Sequence, residues 1–317
     1  MTDTQNEVFK TPVNKIRLFE HGAPGSQNLK LTIKYYTEDM PDGRVKHIVQ
    51  NITDPDIVPY IPDGIGNSTD RQRIPAVLII PGGAFRRLVY NFEGEDVAKW
   101  LNSMGIAAFV LECRLPSDEH DNAEDVPLID AMRAMRVIRG RAQEFGIDEA
   151  KIGVMGFSAG GFMAALLSTA YESDVYADYK YKDEYDKLSA RPDFAVCSYP
   201  VISIDDCIEA GKRYMSEEQV LERISGSKAK ILHKYNPDKL VRPDMPPVFI
   251  CETDDDRTTL SENSVGFYMA ARKAGVSAEL HIFRTGGHGY GCGDDFAQTG
   301  EWKVLFTKWI KSIGIIS

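Results

Sequence analysis

The sequence predicts an α/β fold with a mainly parallel central sheet covered by helices on both faces. Three observations predict it. Six short apolar runs recur along the 317 residues, helix-like stretches alternate with them, and Gly156-Phe157-Ser158-Ala159-Gly160 stands where one run meets the next helix. Such alternation implies a parallel sheet whose crossovers lie over both faces.

The elements are justified in chain order. Residues 1–72 form an N-terminal extension in which Leu29 to Tyr36 suggests an antiparallel edge hairpin, interrupted by the Pro- and Gly-rich run from Asp54 to Asn67. The runs Ala76 to Ile80, Ile106 to Leu111, Lys151 to Met155, Phe194 to Tyr199, Val248 to Glu252 and Ala278 to Phe283 are bounded by Pro, Gly or charged residues. Each reads as a buried strand. Between and after them lie helical stretches at Glu95 to Ser103, Leu128 to Phe145, Ala159 to Ala170, Glu262 to Ala274 and Phe296 to Ile313. In the second, Leu128, Met132, Met135 and Ile138 give one apolar stripe for the sheet. Residues 171–192, rich in Tyr, Asp and Lys, and 203–240, with short polar helices, break the rhythm. They read as insertions that cap the site, or else as solvated excursions. The length suits one domain with such insertions.

Composition narrows the function. Hydrophobic content of 43% with 26% charged residues supports a sizeable packed core. A net charge of −10 opposes broad electrostatic binding to nucleic acid or anionic membrane, and a neutral or cationic substrate fits it better. No apolar stretch approaches the roughly 20 residues of a spanning helix. Met1 to Lys10 lacks the basic patch and apolar run of a secretory signal, and the five cysteines are odd in number and carry no CxxC pair, which together suggest a cytoplasmic protein with reduced thiols. Nothing here fixes the oligomeric state, and a homo-oligomer is compatible with it.

The chemistry lies in four places. Ser158 sits in strand, tight turn, helix, the context that projects a hydroxyl clear of a sheet. Its glycine neighbours relieve the crowding of the turn. An attacking serine needs preorganised N–H donors for the oxyanion it creates, and Ala159, next to it, supplies one. Gly83 and Ala84, in the glycine-rich loop after Ala76 to Ile80, supply the other. His288, in Gly286-Gly287-His288-Gly289 after the last run, is the candidate base. His281 lies inside a strand, and His21, His47, His120 and His233 stand in segments without a matching signal. The acid lies in Asp254-Asp255-Asp256, only one of which can face the imidazole. That cluster lacks the spacing of an oxygen cage, so no metal is assigned.

With these residues in place the chain resembles the esterase/lipase branch of the α/β-hydrolases, including acetylxylan-esterase-like carbohydrate esterases. The resemblance runs from about Pro75 onward and is carried by Pro81-Gly82-Gly83-Ala84-Phe85-Arg86, Glu93-Gly94-Glu95, Arg133-Ala134 within the Asp130 to Arg139 helix, Gly156 to Gly161, Asn263-Ser264 and Gly286 to Gly289. It implies an α/β-hydrolase fold and hydrolysis of short acyl esters, such as acetyl groups on sugars, without any cofactor. It also places Pro81 where the His of an HGGG loop stands and Ala84 where its last Gly stands. The usual Asp-x-x-Val-Pro pattern favours Asp256, with Thr259-Leu260 at the Val-Pro positions and Asp255 as second choice. The same constellation cleaves amides, which leaves an amidase or peptidase as the enzymatic alternative. A non-catalytic small-molecule-binding relative is the other.

Overall fold

The computed structural model describes residues 9, 13–65, 73–223, 225–293 and 297–317. Most of Met1 to Lys10, Gly66 and Asn67 of the glycine-rich run, Ile224, and Phe296 at the expected start of the last helix lie outside the described residues.

Among the described residues, eleven strands form two sheets: β1 (Ile16–Arg17), β2 (Lys34–Asp39), β3 (Val45–Gln50), β4 (Asp56–Tyr60), β5 (Ile74–Ile80), β6 (Leu88–Val89), β7 (Ala107–Glu112), β8 (Ile147–Phe157), β9 (Ala195–Ser198), β10 (Val248–Thr253) and β11 (Ala278–Phe283). The main sheet has eight strands in the order β1-β4-β7-β5-β8-β9-β10-β11. From β7 to β11 every pairing is parallel, while β1 and β4 pair antiparallel at one edge. All six apolar runs became strands of this sheet. Their residues are buried because helices cover both faces, except along the partly exposed edge strand β11.

The extension departs from expectation. Residues 34–50 do form an antiparallel hairpin, but β2 and β3 join β6 in a separate three-stranded sheet. The edge of the main sheet is taken by β1 and by β4, which arises inside the Pro-rich run. Past Ile57, β4 has β7 on one side only, the situation in which a strand tolerates Pro59.

Ten α-helices among the described residues accompany the strands: α1 (Asp96–Ser103), α2 (Val126–Gly140), α3 (Ala142–Phe145), α4 (Ala159–Ala170), α5 (Ile204–Tyr214), α6 (Glu217–Arg223), α7 (Gly226–Lys234), α8 (Ser261–Lys273), α9 (Ala297–Gly300) and α10 (Trp302–Ser312). The stretch expected as one helix over 128–145 breaks at Arg141 into α2 and α3. Gly140, at that break, lies against the Tyr185 ring so closely that a Cβ would come within 2.3 Å of it.

Connection handedness explains the layering. From β5 the chain crosses through α1 to β7 on one side, and from β7 it crosses back through α2 to β8 on the other. Right-handed crossovers then put α1 and α2 on opposite faces. Each later crossover steps in the direction of β8, so α4 and α8 join α2. The last helix, α10, returns to the α1 face, where Trp100 meets Trp302 edge-on with ring centroids 4.9 Å apart. The reversal at β5 opens a crevice at the carboxyl ends of the strands, where open α/β sheets place their sites.

Candidate active site

Four loops converge on that crevice. They follow β5, β8, β10 and β11, and each carries one group of the expected constellation. The loop after β8 is the tightest. Ser158 has φ 54° and ψ −117°, a conformation that costs an L-residue on the order of 1–3 kcal/mol and persists only where its surroundings enforce it. The enforcement is steric. A Cβ on Gly156 would lie 2.0 Å from the carbonyl oxygen of Gly160, and one on Gly160 would lie 1.9 Å from that of Ile80. The Ser158 N–H donates to the Ser198 carbonyl at 3.0 Å, which ties the turn to β9.

Ser158 Oγ stands 2.8 Å from Nε2 of His288, and Nδ1 of the same ring stands 2.6 Å from Oδ2 of Asp256. Asp256 is only 1% exposed. Burial by itself would raise its carboxyl, but the hydrogen bond and charge of His288, with the Thr258 and Thr259 amides, outweigh it and hold the group below the usual range. Those amides donate to Oδ1 at 2.6 and 3.0 Å, and the Thr259 hydroxyl donates to Oδ2 at 2.9 Å.

The neighbouring acids point elsewhere. Asp254 is exposed, and Asp255 accepts the Gly287 N–H at 2.8 Å, which braces the loop that carries His288. Thr253 adds a second brace through a hydroxyl donated to the Gly287 carbonyl at 2.9 Å. Of the two carboxylates left open by the sequence, Asp256 therefore meets the imidazole and Asp255 meets the backbone beside it.

The loop after β5 is fixed from within. Val89 N–H donates to the Gly82 carbonyl at 2.9 Å, and Arg86 N–H to the Gly83 carbonyl at 3.2 Å. Ala84 and Phe85 both take left-handed φ, 58° and 61°. Among the described residues no protein group accepts the N–H of Gly83 or Ala84, and Ala159 begins α4, where the first amides have no partner within the helix. Three donors are thus free to meet an anion beside Ser158.

The cleft above Ser158 encloses about 270 Å³. Met40, Arg44 and Lys46 of the β2–β3 hairpin wall it, together with Arg87, Phe92 and Tyr290. Among the described residues, none of 171–192 or 203–240 lines it. Arg133 instead ties 171–192 to the body of the protein, with Nη1 2.7 Å from Asp183 and Nε donating to the Leu18 carbonyl at 2.8 Å. Behind the Gly82-Gly83 backbone lies a narrow apolar recess of about 20 Å³, lined by Phe85, Leu88, Leu115 and Met163 among others.

Sequence reasoning gave no role to Thr259, Tyr199 or Glu93. Glu93 belonged to a recognised motif, whereas Tyr199 ended an apolar run and carried no signal at all. Asn263 also gains a function: its Oδ1 accepts the amides of Ile202 and Ser203 at 2.9 and 3.1 Å, fixing the chain that leaves β9.

Comparison with known proteins identifies the family and the fold. The profile of the BD-FAE family matches residues 65–270. An acetylxylan esterase of Xylanibacter ruminicola is 31% identical over 240 residues, which are 75% of this chain and 45% of that protein. The chain spans less than half the length of the curated relatives it matches. Among solved structures, an acetyl ester-xyloside bifunctional hydrolase from Caldicellulosiruptor lactoaceticus is 37% identical, with TM-score 0.67 over 84% of this chain and 91% of the other. The carboxylesterase Cest-2923 from Lactobacillus plantarum, at 20% identity and TM-score 0.66 over 90% of this chain and 99% of the other, shares the fold.

Proposed function

We propose, from the premise that this chain belongs to the BD-FAE family of α/β-hydrolase esterases, that it hydrolyses short acyl esters through an acyl-enzyme on Ser158. The observation that carries this reading is the continuous chain from Ser158 Oγ through His288 to buried Asp256, beside three unclaimed N–H donors.

The chemistry follows from that arrangement. His288 accepts the Ser158 proton as Oγ attacks the acyl carbon, and the N–H groups of Gly83, Ala84 and Ala159 meet the developing oxyanion. Asp256 fixes the tautomer with the proton on Nδ1 and stabilises the imidazolium that forms. His288 then protonates the leaving alcohol, and the same sequence with water releases the acid. Because the histidine approaches from the cleft side, the leaving alcohol belongs in the 270 Å³ cleft. The recess behind Gly83 holds little more than one water-sized group, which suits the methyl of an acetyl ester. Relatives named for acetylxylan and acetyl ester-xyloside hydrolysis support an acetylated sugar as the alcohol portion.

The test is an acyl-chain series of p-nitrophenyl esters beside acetylated xylo-oligosaccharides, with a fluorophosphonate label located by mass spectrometry. Labelling of Ser158 and a kcat/KM that falls steadily beyond the acetyl or propionyl ester are expected. Label on a protein carrying Ser158→Ala, or a preference for aminoacyl amides over esters, would refute the reading.

A further inference from the structure

Glu93 is the buried acid that the mechanism above leaves unused. It is 5% exposed and lies in a π-helical turn over Asn91–Glu95, a rare geometry that collects at functional sites. Both of its carboxylate oxygens are engaged. Oε2 accepts the Gly82 N–H at 2.7 Å, and Oε1 accepts the Tyr199 hydroxyl at 2.9 Å. Tyr199 is fully buried, takes φ 38°, and accepts the Gly291 N–H on its own oxygen at 3.1 Å. Its ring stands edge-to-face on His288 with centroids 5.0 Å apart. The contact with Gly82 leaves no slack, since a Cβ there would come within 2.7 Å of Glu93 Oε2 and 2.9 Å of the Ser158 Cβ.

We infer that Glu93 and Tyr199 form a positioning pair that locks the oxyanion loop to the histidine loop, so that the donors and the base keep one spacing about Ser158. The inference rests on the esterase reading of that site. Glu93 lies in the wall of the cleft, but both of its oxygens are already taken by Gly82 and Tyr199, so it is not one of the reacting groups. It acts through Gly82, whose amide it holds one residue before the candidate donor Gly83, and through Tyr199, which backs the imidazole and anchors Gly291 beyond it. A carboxylate suits this place better than a neutral acceptor, because both of its oxygens receive hydrogen bonds while neither has to donate. Burial is the largest influence and raises its pKa, against which the Tyr199 hydroxyl, the His288 charge and the Gly82 amide act only in part.

The spacing matters chiefly in the transition state, when charge moves onto the oxyanion and onto His288. A misplacement of about 1 Å is enough for a roughly 100-fold loss. Glu93→Ala is therefore expected to lower kcat on p-nitrophenyl acetate by roughly 100-fold with KM changed less than about threefold, because ground-state binding does not use these donors. The affinity for an alkylboronic acid, which becomes tetrahedral on Ser158, should fall in parallel with kcat/KM. Rates are taken per active site titrated with fluorophosphonate, so that unfolded protein does not count.

Two further variants carry the test if Glu93→Ala does not fold. Glu93→Gln keeps an oxygen for Gly82 and should recover most of the loss. Tyr199→Phe keeps the ring on His288 but cuts the ties to both Glu93 and Gly291, and a kcat loss of about tenfold or more is expected, on the scale of the two hydrogen bonds lost. Glu93→Ala and Tyr199→Phe variants with kcat and boronate affinity within threefold of the parent would overturn the pair as a positioning device. So would a defect that appears in KM alone. A parent protein that neither labels at Ser158 nor binds the boronate would instead overturn the esterase reading itself, and with it the inference.

Discussion

Three aspartates stand in a row at 254–256, and the backbone decides what each does. The turn after β10 aims Asp256 inward at His288, Asp255 sideways at the Gly287 amide, and Asp254 at solvent. Ser158→Ala removes the attacking atom, and the residual rate should fall to what binding and the N–H donors alone provide, at least about 1,000-fold below the parent. Asp256→Asn, which lets the imidazole present the wrong tautomer, should cost about 10,000-fold in kcat with the fold intact. Asp255→Asn keeps an oxygen for Gly287 and should stay within about tenfold, a difference of some 1.4 kcal/mol or less. Steady-state kinetics on one acetyl ester separates all three. At this scale the serine and histidine were legible because each needs a glycine-rich turn after a strand, which leaves a mark in the sequence. Tyr199 was not, since its hydroxyl finds Glu93 at a separation of 106 residues, and no local pattern encodes such a meeting.

The elements themselves were read from apolar runs, and the runs delivered because strands buried on both faces must be apolar throughout. What the runs could not reveal was pairing. The β2–β3 hairpin is as expected locally, yet whether it joins the edge of the main sheet or builds its own with β6 depends on long-range partners. The break after Gly140 has the same character, since it responds to Tyr185 on a distant turn. One element junction carries a buried ion pair. Arg114, just past β7, meets Asp130 of α2 with Nη2 2.6 Å from Oδ1 and its own N–H 2.8 Å from Oδ2, and both side chains are fully buried. Removing one member strands the other, so Asp130→Ala is expected to lower unfolding free energy by about 3–5 kcal/mol, read from the denaturant midpoint. Replacing Gly160 with Ala should be worse for the elbow than for any surface helix, because the new methyl meets the Ile80 carbonyl rather than a side chain that can move. Loss of folded protein in circular dichroism would register it.

Across the whole molecule, acidity and stability are linked through partly buried carboxyls. Burial pushes Asp118 up to about 6, against which the Ser117 hydroxyl and the Asn51 and Ile52 amides act only in part. The folded state then holds this proton more tightly than the unfolded chain, so the group weakens the fold progressively as pH climbs from near 4 to 6 and by a constant amount above. Asp118→Asn should accordingly raise the melting temperature at pH 8 and leave it nearly unchanged at pH 4. An equal shift at both values would contradict this account. The cleft poses a different question, because the match to the BD-FAE family begins at residue 65 while Met40, Arg44 and Lys46 wall the space assigned to the leaving alcohol. Part of the wall of that space is thus encoded outside the stretch that holds Ser158 and Asp256, while Arg87 and Phe92 of the same wall lie inside it. Mutations in the hairpin can redirect preference without touching a single group that makes or breaks a bond, and a hairpin transplanted between relatives should carry its taste in alcohols with it while the turnover chemistry stays with the host.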